Sequence, residues 1–200
     1  MPCVLHQEEK VTIIATGEDV PIHINTITLP GNKGQIGMTF CPGNSDTGNS
    51  GAFHDLEGDL TAISLWGAEA VITLLEKSEM EMLGIDDLPV LLKSRGIQWH
   101  HLPVRDVDIP DARFEAMWLK SGEQIRTILS RGGRILFHCL GRNNRVGTVA
   151  AKLLVEFGFK PSHAIDLVRE TSPGTIDTYD QEQYVIKLRK WPKIRDEQLQ

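Results

Sequence analysis

A cysteine and an arginine stand close together where a short apolar strand is predicted to give way to a helix. Residues 134–148 read RILFHCLGRNNRVGT, in which five residues separate Cys139 from Arg145. Residues 135–138 are typical of a buried strand, and residues 146–157 carry an apolar stripe at helical spacing. The pattern therefore predicts a thiol and a guanidinium at the two ends of one strand-to-helix loop.

A loop of this kind is suited to binding an anion. Its backbone N–H groups can turn inward as an anion nest, and the following helix adds the positive end of its dipole. A cysteine thiolate is stabilised in such settings, with typical pKa values of about 3.5–7.5, and Arg145 can hold two phosphate oxygens. The pattern predicts covalent phosphoryl transfer through a cysteinyl phosphate, without a metal. The alternative is a buried structural cysteine before an ordinary loop.

The elements predicted around this loop alternate between strands and helices. Strands are predicted at residues 11–16, 22–29, 36–40, 70–75, 97–104 and 135–138. Helices are predicted at residues 56–66, 88–94, 111–129, 146–157, 161–168 and 177–191. This alternation predicts an α/β sheet, in which sites lie at the carboxyl ends of the strands. The segments after residues 104 and 138 are therefore the expected positions of a site.

Composition narrows the class of protein. The 200 residues are 40% hydrophobic and carry a formal net charge of −6. This predicts one compact core and argues against a protein whose main role is to bind nucleic acid. Three scattered cysteines without a C-x-x-C pair argue against a cysteine zinc site and a disulfide framework. No signal peptide or membrane span is evident, so we expect a cytoplasmic protein that needs no metal or other cofactor.

The loop resembles the phosphate-binding signature of cysteine-dependent tyrosine and dual-specificity phosphatases, His-Cys-x-x-Gly-x-x-Arg followed by Ser or Thr. Within that class the chain most resembles the kinase-associated phosphatase (cyclin-dependent kinase inhibitor 3) family, over most of residues 35–190. The matching segments are residues 36–43 (IGMTFCPG), residues 100–106 (HHLPVRD) with Pro110-Asp111, the Cys139 loop, and residues 174–178 (GTIDT) with Gln181.

The resemblance implies a fold and a division of the chain. The fold would be a three-layer, phosphatase-type α/β arrangement, with a central, mostly parallel twisted sheet and helices on both faces. Residues 35–195 would form the phosphatase domain. Residues 1–34 are expected to add an N-terminal β element to the sheet, with a hairpin for partner docking as the alternative.

The resemblance also implies catalytic roles. Cys139 would be the nucleophile, Arg145 would bind the phosphate, and Asp106 would be the general acid that protonates the leaving oxygen and later activates water. Asp108 and Asp111 are rivals for the acid. Because Asp111 follows a proline at a predicted helix start, it can instead cap that helix.

Further residues would support these three. His138 would orient the loop and tune the thiol, or simply be a satisfied core histidine. Gln181 would help to place the hydrolytic water, and it can also form a capping box with Thr178. The phosphate would be held by Leu140, Gly141, Arg142, Asn143 and Asn144.

The chain departs from the usual signature in ways that bear on turnover. Val146 stands where Ser or Thr is usual, which predicts slow breakdown of the phosphoenzyme unless Thr148 or a water substitutes. Arg142 replaces a glycine, which either adds charge for a more anionic substrate or leaves a solvated side chain. Asn143-Asn144 replaces a pair that usually ends in glycine, and asparagine tolerates positive φ better than most residues.

We therefore expect a phosphatase for phosphotyrosine, phosphoserine or phosphothreonine. Its substrate would be a phosphoprotein, with a kinase as one candidate. The alternatives are a phosphate-binding pseudophosphatase with little turnover and a phosphoinositide phosphatase. A sulfur transferase or arsenate reductase is a further alternative, because both can use an anion-binding cysteine loop.

Overall fold

The computed structural model describes residues 22–31, 33–44, 55–141 and 144–189. The strand predicted at residues 11–16 lies outside these ranges. Two of the predicted phosphate-binding residues, Arg142 and Asn143, also lie outside them. The division of the chain at residue 34 stays a prediction.

Strands and helices alternate along the described residues. The strands are β1 (Asn25–Thr28), β2 (Gln35–Thr39), β3 (Ala70–Thr73), β4 (Gln98–His101) and β5 (Arg134–His138). The helices are α1 (Leu56–Trp66), α2 (Lys77–Leu83), α3 (Leu88–Ser94), α4 (Ala112–Ser130), α5 (Asn144–Glu156), α6 (Pro161–Thr171) and α7 (Tyr179–Lys187). Apart from α2, each of these elements lies in or near a segment whose periodicity predicted it.

The strands form one mixed sheet in the order β1-β2-β5-β3-β4. β1 is antiparallel to β2, whereas β2, β5, β3 and β4 are mutually parallel. The predicted α/β class with a mostly parallel sheet is therefore confirmed. β5 lies at the centre, between β2 and β3, so the residue that follows it emerges in the middle of the carboxyl edge of the sheet.

Two long helices pack beside the sheet in different ways. α4 is amphipathic and buries one stripe that includes Phe114, Trp118 and Ile125. In α5 every residue from Arg145 to Glu156 is buried, so this helix is enclosed by the rest of the fold. Its buried charged groups are paired, as Lys152 Nζ lies 3.4 Å from Glu156 Oε1.

The short helix α2 was not predicted from the sequence. It spans seven residues and begins with a capping box, in which Glu76 and Glu79 each accept a backbone N–H of the other. It ends at Gly84, whose φ of 65° lies in the left-handed region that glycine adopts without strain. A helix of two turns is too short to produce a clear period of 3.6 residues.

Within the described ranges, none of the helices combines the length and the apolar character required to span a bilayer.

Candidate active site

Cys139 lies where three parallel strands end together. In the register of the sheet, His138 of β5 pairs with Thr39 of β2 on one side and with Thr73 of β3 on the other. Cys139 is the next residue along the chain. Its side chain is buried, and its Sγ donates a hydrogen bond to the Gly141 carbonyl at 3.3 Å. The thiol is therefore at the carboxyl edge of the sheet, as the sequence predicted for a site.

Arg145, in the first turn of α5, is buried and held in a fixed orientation. Its Nη1 and Nη2 donate to the two carboxylate oxygens of Glu79 at 2.7 and 2.9 Å. Nη1 also donates to the Val104 carbonyl at 3.1 Å. The charge of Arg145 also acts on Cys139, where it lowers the pKa of the thiol. The guanidinium thus lies beside the thiol, and its fork geometry is set by a bidentate carboxylate.

Glu79 is the site residue that sequence reasoning missed. It lies on α2, 66 residues from Arg145, and its side chain is only 14% exposed. Burial by itself raises the pKa of Glu79, but hydrogen bonds from Arg145 and from the Glu76 amide hold it below its ordinary value. The available signal was weak, because the capping box at Glu76 and Glu79 marks a helix start and says nothing about a partner elsewhere.

The state of the Cys139 thiol differs from the expectation of a lowered pKa. Burial raises the pKa of Cys139, and this outweighs the lowering by Arg145 and by the amides of Val146 and Gly141. The sulfur also donates to a carbonyl, which favours the protonated form, and the Arg145 charge that opposes the rise is already paired with Glu79.

The three candidate acids occupy different positions. Asp106 Oδ1 lies 3.6 Å from Arg145 Nη2, and its side chain is 70% exposed. Asp108 is paired with Arg105 at 3.1 Å. Asp111 accepts from a backbone N–H in the first turn of α4 and is its N-cap, so the capping interpretation of this residue matches the structure. Among the three candidates, Asp106 is therefore the one that contacts the guanidinium of Arg145.

The residue after Asp106 is held in a strained conformation. Val107 has a φ of 60°, in the left-handed region where a β-branched side chain is an outlier. Its side chain is 60% exposed, so packing around the side chain does not account for the conformation. Strain of this kind concentrates at functional sites.

His138 bonds Thr73 of β3 and is linked through it to Trp99 of β4. Its Nε2 lies 2.7 Å from Thr73 Oγ1, and the Trp99 indole donates to the same oxygen at 2.8 Å. Its Nδ1 has no hydrogen-bond partner within the described part of the chain. Burial, with the nearby positive charges of Arg145 and His101, lowers the pKa of His138 from 6.5 to about 3. The ring is therefore neutral at physiological pH.

This lowered pKa predicts a pH-dependent loss of stability. Below pH 6.5 the unfolded chain protonates His138, whereas the folded chain does so only near pH 3. The free energy of unfolding should therefore fall with pH across this window, by about 2 kcal/mol between pH 6.5 and pH 5 from this group. Urea unfolding at about pH 7 and pH 5 should show a smaller loss in a His138→Gln variant than in the unmodified protein.

The matched control is Thr73→Val, which keeps the histidine and should keep the pH dependence. Burial also lowers the pKa of His100, but His100 is present in all three proteins and cancels from the difference. If the His138→Gln variant loses as much stability between about pH 7 and pH 5 as the unmodified protein, His138 is not the group responsible.

Gln181 reaches the loop that carries the candidate acids. Its backbone N–H donates to the Thr178 hydroxyl at 3.2 Å, so Thr178 caps α7. The Gln181 side chain does not complete the predicted capping box; its Nε2 instead donates to the Asp108 carbonyl at 3.5 Å. Its Oε1 is buried without a partner among the residues described. This acceptor is free to bind a water.

The remaining loop residues that are described show how the loop is anchored. The Leu140 carbonyl accepts from Asn44 Nδ2 at 3.4 Å. The Thr148 hydroxyl donates to the Asn144 carbonyl at 2.9 Å, so its one proton is used within α5. Val146 is fully buried and brings no hydroxyl. Thr148 is therefore a poor replacement for the hydroxyl that Val146 lacks.

No cluster of three or more His, Cys, Asp or Glu side chains that could hold a metal ion occurs in the described ranges. The Asp106 carboxylate, the Cys139 thiol and the Arg145 guanidinium come from three different segments: the β4–α4 connection, the residue after β5, and α5.

Comparison with known proteins relates this arrangement to phosphatases. Human cyclin-dependent kinase inhibitor 3 is 28% identical over 177 residues, which cover 86% of this chain and 81% of the human protein. The rat protein of that name is 28% identical over 180 residues, covering 88% and 82%. A crystal structure of kinase-associated phosphatase, with its catalytic-site cysteine replaced by serine, matches with a TM-score of 0.71 at 26% identity, covering 84% of this chain and 94% of that one.

A more distant structure shares the fold. PTPMT1 in complex with PI(5)P matches with a TM-score of 0.60 at 16% identity, covering 82% of this chain and 92% of that one. A family model described as "Swiss Army Knife protein, DSP-PTPase phosphatase domain" matches residues 55–186, which is more than half of the chain. By this match, the chain belongs to the family of DSP-PTPase phosphatase domains.

Proposed function

We propose that this protein hydrolyses phosphate monoesters on phosphoproteins through a cysteinyl-phosphate intermediate. The observation that carries the proposal is the buried guanidinium of Arg145, which is fixed by Glu79, acts by its charge on the Cys139 thiol and lies 3.6 Å from Asp106. A nucleophile, a dianion-binding group and a proton donor thus meet at one point. Together these three groups are sufficient for phosphoryl transfer to sulfur.

In the first step the ionised sulfur of Cys139 attacks phosphorus. The S–P bond forms, the P–O bond to the substrate breaks, and the leaving oxygen takes the proton of Asp106. Arg145 and the N–H groups at the start of α5 stabilise the non-bridging oxygens. Because burial opposes ionisation of the thiol, the hydrogen bonds from Arg145 and from the Gly141 and Val146 amides are the interactions that favour the reactive form.

In the second step water attacks the phosphocysteine. The Asp106 carboxylate accepts a proton from the water, the S–P bond breaks, and inorganic phosphate leaves with the thiolate restored. Gln181 Oε1, which is buried without a partner among the described residues, is the group that we expect to accept a hydrogen bond from this water. Since Val146 supplies no hydroxyl and Thr148 bonds the Asn144 carbonyl, we expect this step to limit turnover.

The proposed substrates are phosphoproteins with phosphotyrosine, phosphoserine or phosphothreonine. The exposed side chains of Asp106 and Val107 support a shallow rim, which short phosphorylated side chains can reach. The relatives at 26–28% identity are named a kinase inhibitor and a kinase-associated phosphatase. A phosphorylated kinase is therefore the first candidate substrate.

The proposal is tested by phosphate release from a panel of phosphotyrosine and phosphothreonine peptides and a phosphoinositide, with and without EDTA. We expect release from the peptides, unaffected by the chelator. Activity confined to the phosphoinositide would show that the substrate is a lipid and not a phosphoprotein. Loss of all activity in EDTA would rule out the cysteine mechanism.

Replacing Asp106 by asparagine should slow the reaction according to the leaving group. With phosphoserine, whose alkoxide is a poor leaving group, we expect a loss of at least about 100-fold in the first step. With an aryl phosphate bearing an electron-withdrawing ring, the loss should be much smaller because that oxygen needs no proton. Single-turnover rates with both substrates make the comparison, with Asp108→Asn as the control. Equal losses on both substrates would exclude Asp106 as the acid.

A second candidate function is phosphate binding with little turnover. Val146 and the engaged hydroxyl of Thr148 favour it, because both weaken the hydrolytic step. Rapid mixing distinguishes the two functions. One stoichiometric burst of leaving group with no later release of phosphate would support the binding module, whereas steady release after the burst supports the enzyme.

A further inference from the structure

The open edge of the sheet at β4 lies in a basic groove. β4 is the last strand of the sheet, and β3 is its single neighbour among the described strands. Along its outer edge runs a groove of about 760 Å³ between α3 and α4. Residues 96–101 form the floor, and Lys93 and Lys120 stand on the two walls.

The register of β4 identifies which backbone groups face this groove. The Gln98 N–H donates to the Glu69 carbonyl at 2.9 Å, and the Leu102 N–H donates to the Thr73 carbonyl at 3.0 Å. In a parallel pair, alternate residues bond the same neighbour. The N–H and C=O groups of Trp99 and His101 therefore point away from β3, toward the groove, where a further strand would bond them.

The charge of the groove is positive. Lys93 and Lys120 are exposed, and neither forms an ion pair with any residue that the structure describes. No aspartate or glutamate lines the groove. The Nε2 atom of His100, whose side chain also lines it, is buried and has no partner in the same described ranges. The groove therefore lacks the anionic groups that its cations would pair with.

An extended peptide is recognised at such an edge by strand addition, in which main-chain hydrogen bonds give the affinity. The outward N–H and C=O groups of Trp99 and His101 can supply these bonds, and Lys93 and Lys120 favour a segment that carries carboxylates.

We propose that the β4 edge is a docking site for an extended, acidic segment of a protein partner, which adds to the sheet beside β4. Its backbone bonds Trp99 and His101, and its carboxylates pair with Lys93 and Lys120. The site does not depend on the proposed catalytic function, because docking is measured as binding.

The groove is also joined to the candidate active site by hydrogen bonds. Trp99, on the groove floor, donates to Thr73 Oγ1, which bonds His138, the residue before Cys139. A phosphoprotein held at β4 would thus be anchored on the strand whose carboxyl end leads to Asp106. This separates the docking segment from the phosphorylated residue and gives a partner two points of contact.

The test uses the full chain and a capped eight-residue peptide of alternating glutamate and valine. Amide hydrogen exchange, followed by NMR, should show the Trp99 and His101 amides slowed at least about tenfold by the peptide. The Gln98 and Leu102 amides, already bonded to β3, are internal references. If Trp99 and His101 are unaffected at saturation, or are already protected in the free chain, the proposal is overturned.

Measurements of peptide affinity test the lysine charges and the backbone hydrogen bonds separately. Lys93→Glu together with Lys120→Glu should weaken binding at least about tenfold and strengthen binding of a lysine–valine peptide, whereas Lys160→Glu, outside the groove, should do neither. A fully N-methylated glutamate–valine peptide should lose at least about tenfold in affinity. Equal affinity for the methylated peptide would mean that charge alone attracts it, which contradicts strand addition.

Discussion

Replacing Cys139 by serine is expected to reduce phosphate release by about 10⁴-fold or more while leaving binding of a phosphopeptide within about threefold. The loss is of the size found when a covalent nucleophile is removed from an enzyme. A serine hydroxyl at this position has no adjacent base among the contacts described for Cys139, so it would stay protonated and unreactive. The guanidinium of Arg145 and its support from Glu79 are unchanged, so the phosphate is still held.

The matched control is Cys41→Ser. Cys41 lies two residues after β2, Cys139 directly follows β5, and both thiols are buried. Burial, with the charges of Cys139, Asp59 and Glu79, raises the pKa of Cys41 to about 12, so it remains a thiol. Its replacement should leave phosphate release nearly unchanged. Retained activity in Cys139→Ser, or equal loss in both variants, would contradict the assignment of Cys139 as the nucleophile.

Replacing Glu79 by alanine is expected to lower the free energy of unfolding by about 3–5 kcal/mol. Arg145 is only 2% exposed, and without Glu79 its buried charge would be left with the Val104 carbonyl and the exposed Asp106 carboxylate at 3.6 Å. Phosphate release should also fall at least about 100-fold, because small displacements of a positioning group cost that much. Glu79→Gln, which keeps one acceptor oxygen, should show smaller losses in both. Urea unfolding measures the change in the free energy of unfolding, and steady-state kinetics measure the change in the rate of phosphate release.

Glu81→Gln, on the same helix, is the control for the charge change. Glu81 pairs with Lys77 at 3.3 Å, but both side chains are more than half exposed, so its loss should cost little. A double variant, Glu79→Leu with Arg145→Met, should recover much of the stability and none of the activity. If Glu79→Ala unfolds like the unmodified protein, the ion pair does not hold Arg145 in solution.

The pairs that build the site were the part that could not be predicted from the sequence. Glu79 and Arg145 lie 66 residues apart, and Thr73 and His138 lie 65 apart. Each pair meets because β3 is adjacent to β5 and α2 follows β3. The order of the strands depends on how the whole chain packs. The periodicity of one segment does not indicate which other segments it will lie against.

The pKa of Cys139 likewise depends on tertiary contacts that the sequence does not reveal. The residue types predicted an anion nest around a thiol, but the direction of the shift depends on how burial compares with each hydrogen bond. Burial is the largest influence, and the Arg145 charge that opposes it is shared with Glu79. These are tertiary quantities, so residue types and spacing alone predicted the wrong direction.

What the sequence determined by itself was local: the strand before Cys139, the helix carrying Arg145, the cap at Asp111, and the five-residue spacing that keeps thiol and guanidinium on one loop. These follow from backbone periodicity and residue chemistry over fewer than twenty positions. The tertiary structure alone decided that Glu79 fixes Arg145, that Asp106 rather than Asp108 lies by the guanidinium, and that β4 is left at an open edge. Each of these depends on which strands and helices become neighbours, and that is settled by packing the whole core.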